Sequence, residues 1–96
     1  MKSMKKVELI IEAIYINKLL DIFRNHDIGG YTIITDVEGS GAHGLRMADD
    51  VSEVSSNDYV FTICEEEKFL EMKDEMVKFR NRFGGKFFVT DTMVLD

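Results

Sequence analysis

Gly30-Tyr31-Thr32-Ile33-Ile34-Thr35-Asp36-Val37-Glu38-Gly39-Ser40-Gly41 is the stretch on which the fold turns. Tyr31, Ile33, Thr35 and Val37 alternate as in a strand, and the run then breaks into glycines. A second border, Phe83-Gly84-Gly85-Lys86-Phe87-Phe88-Val89, marks the start of another strand near the C-terminal end. Glycine lets backbone amides approach a ligand closely, and successive amides form anion-binding concavities. Together the borders point to a small-anion or nucleotide site; each alone reads equally well as a strand end or a helix cap.

Working outward, Val7, Leu9 and Ile11 alternate and predict a strand over residues 7–13. From about Tyr15 the period lengthens: Ile16, Leu19, Leu20 and Phe23 fall at helical spacing with Lys18, Asp21 and Arg24 between them. That helix is expected to stop near Gly29-Gly30, with glycine as the left-handed cap. Tyr59, Phe61 and Ile63 predict a third strand, and Glu65-Glu66-Glu67 supplies the negative charge that suits a helix N-terminus. Phe69, Met72, Met76 and Phe83 mark the buried stripe of that helix to about Arg82, after which Gly84-Gly85 ends it and residues 86–94 form a fourth strand.

Residues 38–58 hold Gly39, Gly41, Gly44, many carboxylates and serines, and few large apolar groups, so they predict a long loop with no packed element of its own. The order β-α-β-loop-β-α-β is the split βαβ pattern of a ferredoxin-like α+β fold, one domain over residues 1–96. Its four-stranded antiparallel sheet carries both helices on one face. The opposite-parity positions Ile10, Ile34, Val60, Cys64, Phe88 and Val94 are apolar too, whereas an uncovered antiparallel face is normally polar. They predict association of subunits through their sheets; the alternative is a scatter of exposed apolar residues.

A 96-residue chain buries only about 60–70% of its unfolded surface, which favours oligomerisation. With 18 Asp and Glu against 12 Lys and Arg, and no basic run longer than Lys5-Lys6, a broad nucleic-acid interface is not expected. The single cysteine, Cys64, excludes an intrachain disulfide framework and a cysteine-rich zinc site. Glu8 and Glu12 interrupt the first apolar stretch, which argues against a membrane span or a secretory leader and for a cytoplasmic protein. His26 and His43 have no partner at metal-ligand spacing, and Asp36, Glu38, Asp49 and Asp50 have no nucleophile beside them, so neither a metal site nor an enzyme is expected.

The residues quoted so far resemble the PII signalling-protein superfamily, including the PII-like proteins associated with bicarbonate transporters and carboxysomes. Lys5-Lys6-Val7-Glu8-Leu9-Ile10-Ile11 looks like the first strand of that family. The stretch from Gly30 to Gly41 is similar to its Gly-x-Thr-x-Thr-Glu-Val-x-Gly-x-Gly segment, with one extra residue before Thr35. Residues 38–58 occupy the place of its T-loop, and Gly85-Lys86-Phe87-Phe88-Val89 resembles the Gly-Lys-Ile-Phe-Val that opens its fourth strand. The resemblance implies a homotrimer that binds AMP, ADP or ATP in clefts between subunits, with bicarbonate or another small anion as a further ligand. It implies T-loops that contact a target, a membrane transporter in the relatives tied to transport.

Carried over position by position, the resemblance sets Thr32 near the adenine, Gly39 and Gly41 along ribose and phosphates, and Cys64 in the adenine wall. Gly84, Gly85, Lys86 and Phe87 form the second border, with the Lys86 ammonium as phosphate counter-charge. Arg46, the one cation between Glu38 and Asp58, either folds back on a phosphate or pairs with Asp49 or Asp50. By its residue type alone, Cys64 reads as a buried inert thiol, Lys86 as a solvated lysine and Gly39 as a hinge. Three departures from the family pattern stand out: no tyrosine within residues 38–58, Glu12 where a lysine is expected, and no arginine pair after the fourth strand. They argue against tyrosine modification, 2-oxoglutarate sensing and a tight triphosphate grip. An assembly module that binds a partner without nucleotide is the alternative.

Overall fold

The computed structural model describes residues 1–39 and 56–96. Strand β1 spans Lys2–Glu12, a 3-10 turn covers Ala13–Tyr15, and helix α1 follows over Ile16–Asn25. Strands β2 (Thr32–Val37) and β3 (Asn57–Cys64), helix α2 (Glu66–Phe83) and strand β4 (Lys86–Val94) complete the order. All strand pairings are antiparallel and the sheet order is β2-β3-β1-β4, the ferredoxin-like α+β arrangement that the element order predicts.

Both helices cover one face. Val7, Leu9 and Ile11 of β1 and Val60 of β3 are buried against Leu19 and Phe23 of α1 and Met72, Met76 and Phe79 of α2. Full burial of an aliphatic or aromatic side chain stabilises by about 1.5–3 kcal/mol, so this single cluster is the main source of stability. His26 Nε2 lies 2.8 Å from Glu75 Oε1 and ties the end of α1 to the middle of α2. Glu66 and Glu67 open α2 while Arg80 and Arg82 close it, each sign suiting the helix dipole.

Three sequence expectations are corrected. First, β1 begins at Lys2, not Val7, because β4 pairs with it from Lys2↔Val94 to Ile10↔Lys86. Second, α1 stops at Asn25, ahead of Gly29-Gly30. Asp27 takes the left-handed conformation at φ 58°, the Asp27 N–H donates to the Arg24 carbonyl at 3.2 Å and the Ile28 N–H to the Phe23 carbonyl at 2.8 Å. This is a Schellman stop built on an aspartate, with Ile28 buried beneath it as the hydrophobic latch. Third, Val60 and Cys64 do not lie on the uncovered face. The register Leu9↔Val60 and Lys5↔Cys64 puts them under the helices, and Tyr59, Phe61 and Ile63 take the open side beside Ile10, Ile34 and Phe88.

Candidate anion and nucleotide site

The two glycine borders lie at the same end of the sheet. Gly39 is two residues past β2, whose last residue, Val37, pairs with Asn57. Gly84 and Gly85 join α2 to β4, whose first residue, Lys86, pairs with Ile10. They belong to opposite edge strands with β3 and β1 between them, and three inter-strand spacings put the edges about 14 Å apart.

At the second border the backbone turns from helix into strand through a capping hydrogen bond and two glycines. The Gly84 N–H donates to the Arg80 carbonyl at 2.8 Å, and both glycines have positive φ, 82° and 106°. Lys86 is exposed on the open face, whereas Phe87, opposite Leu9, turns inward with its ring centroid 5.9 Å from that of Phe79. Phe87 is half-buried on the helix side and does not share the open face with Lys86. Beside this corner, the Lys18 ammonium sits 5.6 Å and the Arg82 guanidinium 5.2 Å from the centre of the Phe83 ring. Lys18 and Arg82 thus stand beside this corner on the helix side of the sheet and Lys86 on its open side, a placement of cations that the spacing of the sequence did not suggest.

At the first border, Gly39 is exposed and has nothing within 4 Å of the position a Cβ would take. Thr32 is exposed at the start of β2, opposite Phe61, seven residues before Gly39. Cys64 is placed differently again. It ends β3 at the far end of the sheet, roughly 23 Å along the strand from Asn57 at 3.3 Å per residue. It is 5% exposed in the core, and burial pushes its thiol pKa up, as suits an inert core thiol. Gly41 and Arg46 lie outside the described residues. The structure thus gathers Gly39, Gly84, Gly85 and Lys86 at one end, leaves Thr32 in mid-sheet, and sets Cys64 apart.

Two further features escape a reading of the sequence. The stems of the connection after β2 are tied down: the Ala13 N–H donates to the Ser56 carbonyl at 2.7 Å, and the Asp36 N–H to Asp58 Oδ1 at 3.2 Å. On the open face the Tyr59 hydroxyl donates to Glu8 Oε1 at 2.6 Å, and the Lys6 ammonium lies 5.0 Å from the Phe61 ring centre. Among the described residues no cluster of His, Cys, Asp and Glu could hold a metal ion, and no helix is long and apolar enough to cross a membrane.

No curated protein sequence matches the chain. Solved structures do. CPII, a nitrogen regulatory PII-like protein from Thiomonas intermedia K12 bound to ADP, AMP and bicarbonate, matches with a TM-score of 0.82 at 23% identity. The match covers 99% of this chain and 96% of that one. GlnK of B. subtilis, in complex with ATP, matches at 0.61 with 18% identity over 94% of this chain and 82% of its own. Identities this low establish the shared fold. The sequence model of the nitrogen regulatory protein P-II extends the relationship beyond fold, matching residues 4–94, from the first strand through both glycine borders to the end of the fourth. On that match the chain belongs to the P-II family.

Proposed function

We propose that the protein is a PII-like regulator that binds adenine nucleotides in clefts between subunits of a homotrimer and signals occupancy to a target protein. The observation that carries this reading is the gathering of both glycine borders, Lys86 and the Lys18 and Arg82 cations at one end of the sheet. Amides free of Cβ and cationic side chains suit phosphate groups. The ADP, AMP and bicarbonate held by CPII and the ATP held by GlnK support the same choice of ligand, with bicarbonate or another small anion as a second one.

Mechanistically, the phosphates lie between Gly39 of one edge strand and Lys86 of the other edge strand, supplied by the neighbouring subunit. Nucleotides with different phosphate number then favour different conformations of the stems, since only differential affinity shifts a population. Gly41 and Arg46 complete the phosphate contacts and Thr32 borders the adenine. The target is a membrane transporter that draws this cytoplasmic protein to the inner face of the membrane. The protein itself binds and signals without catalysing a reaction.

Isothermal titration with AMP, ADP, ATP and cyclic nucleotides tests the reading, and silence with all of them up to millimolar concentration refutes it. Lys86→Ala removes one charge-assisted phosphate contact and weakens binding by about 1.5–3 kcal/mol, while unchanged affinity places the phosphates elsewhere. The second reading, a trimeric module that holds its partner without nucleotide, is favoured by the apolar open face alone. It gains ground if native mass spectrometry finds a trimer and calorimetry finds no nucleotide.

A further inference from the structure

Strand β2 carries one residue more than its partner at the point where it leaves the sheet. Ile34 pairs with Tyr59 and Val37 with Asn57, so Thr35 and Asp36 together oppose the single residue Asp58. Asp36 stands in the left-handed region at φ 56°. Asp58, opposite Ile11 of β1, is only 6% exposed, and its Oδ1 accepts the Asp36 N–H at 3.2 Å.

Each of these features is unfavourable alone. A buried carboxylate needs hydrogen-bond donors, and a non-glycine residue at positive φ needs something to hold it there. Here each supplies what the other lacks. A bulge also bends and twists its strand and moves all later side chains to the other face. Val37 consequently takes the position across from Asn57 that regular alternation would give to Asp36.

We infer that Asp58 is a positioning residue: its carboxylate, bonded to the Asp36 N–H, fixes the bulge and so sets the direction in which β2 delivers Gly39 to the anion-binding end of the sheet. The returning stem, held by the Ala13 N–H on the Ser56 carbonyl, provides the fixed point against which that direction is set. The consequence for binding rests on the proposed nucleotide site; the geometric part rests on the strand pair alone.

Amide NMR and ADP calorimetry on the full chain test it. In Asp58→Ala, the Asp36 amide exchanges about tenfold faster or more and the Gly39 amide resonance moves, while Val7, Leu9 and Val60 keep their protection. ADP affinity falls about tenfold, as for loss of one hydrogen bond to a charged group. Asp58→Asn, which keeps the Oδ1 acceptor, restores both readouts to within about threefold. Asp36→Val cannot hold positive φ and reproduces the alanine result by an independent route, so the test survives a poorly folding Asp58→Ala.

An unmoved Gly39 resonance in the folded disrupting variants overturns the inference, as does failure of asparagine to rescue. ADP affinity unchanged while Gly39 moves overturns the binding role. A wild-type protein that binds no ADP refutes the nucleotide proposal, and the Gly39 resonance then decides the positioning claim by itself.

Discussion

Among the described glycines, Gly85 is the one whose identity the structure constrains most tightly. A Cβ there would lie 2.8 Å from Ile11 Cγ2 and 2.9 Å from the Ile10 carbonyl oxygen, and the backbone stands at φ 106°. Gly84 has a comparable φ of 82° but open space around it. Gly84→Ala therefore carries only the conformational cost, about 1–3 kcal/mol, whereas Gly85→Ala adds overpacking against β1 of about 1–3 kcal/mol more. Urea unfolding of the two variants checks this, and equal losses would show that the β1 contact relaxes freely. The Gly84-Gly85 stop was legible in the sequence because two glycines after a helical stripe have one economical use. The stop of α1 was not, because Asp27 adopts the left-handed conformation without being glycine and is held there by Ile28 finding a place in the core.

At the scale of elements, the pairing of β1 with β3 decides the chemistry of the open face. The register Glu8↔Phe61 and Ile10↔Tyr59 brings the Tyr59 hydroxyl to Glu8, and that hydrogen bond pushes the Tyr59 pKa up to about 12, with desolvation and the carboxylate charge acting in the same direction. The folded state thus holds the phenolic proton more firmly than the unfolded chain. The stabilisation is fully present below the ordinary tyrosine pKa of 10.0 and is lost as pH rises through about 12. Absorbance titration of the phenols should show one tyrosine ionising near that pH, moving back toward its ordinary value in Glu8→Gln. A wild-type protein in which all tyrosines titrate together near pH 10 would contradict the pairing. Sequence alternation identified β3 but not its facing, because Tyr59, Phe61 and Ile63 are as apolar as Val60 and Cys64, and only the partner strand selects which set meets the helices.

For the whole molecule, the uncovered face keeps large apolar groups in water: Ile34 is 51% exposed, Ile63 39% and Phe88 49%. An apolar face of this kind is a natural interface between copies, and it underlies the proposed homotrimer. Phe88→Glu sets an extra carboxylate beside Glu8, its cross-strand partner, and would bury that charge on assembly. The variant is expected to run as a monomer by native mass spectrometry at micromolar concentration while keeping the far-ultraviolet circular dichroism of the wild type. A Phe88→Glu protein that still forms the wild-type oligomer would exclude this face as the interface.

The sequence by itself determined the kinds of element, their order and the α+β class, since hydrophobic period and glycine punctuation are local properties carried within each segment. It also determined that two glycine borders flank the sheet, because both follow directly on strand or helix patterns. Which residues face the helices, where the left-handed cap of α1 falls, and that Asp58 sits under a bulge in β2 were decided only by tertiary structure. Each depends on strand register or core packing between residues far apart in the chain. The same nonlocal pairing sets Lys86 at the glycine end of the sheet and Cys64 at the other, a separation no spacing along the sequence contains.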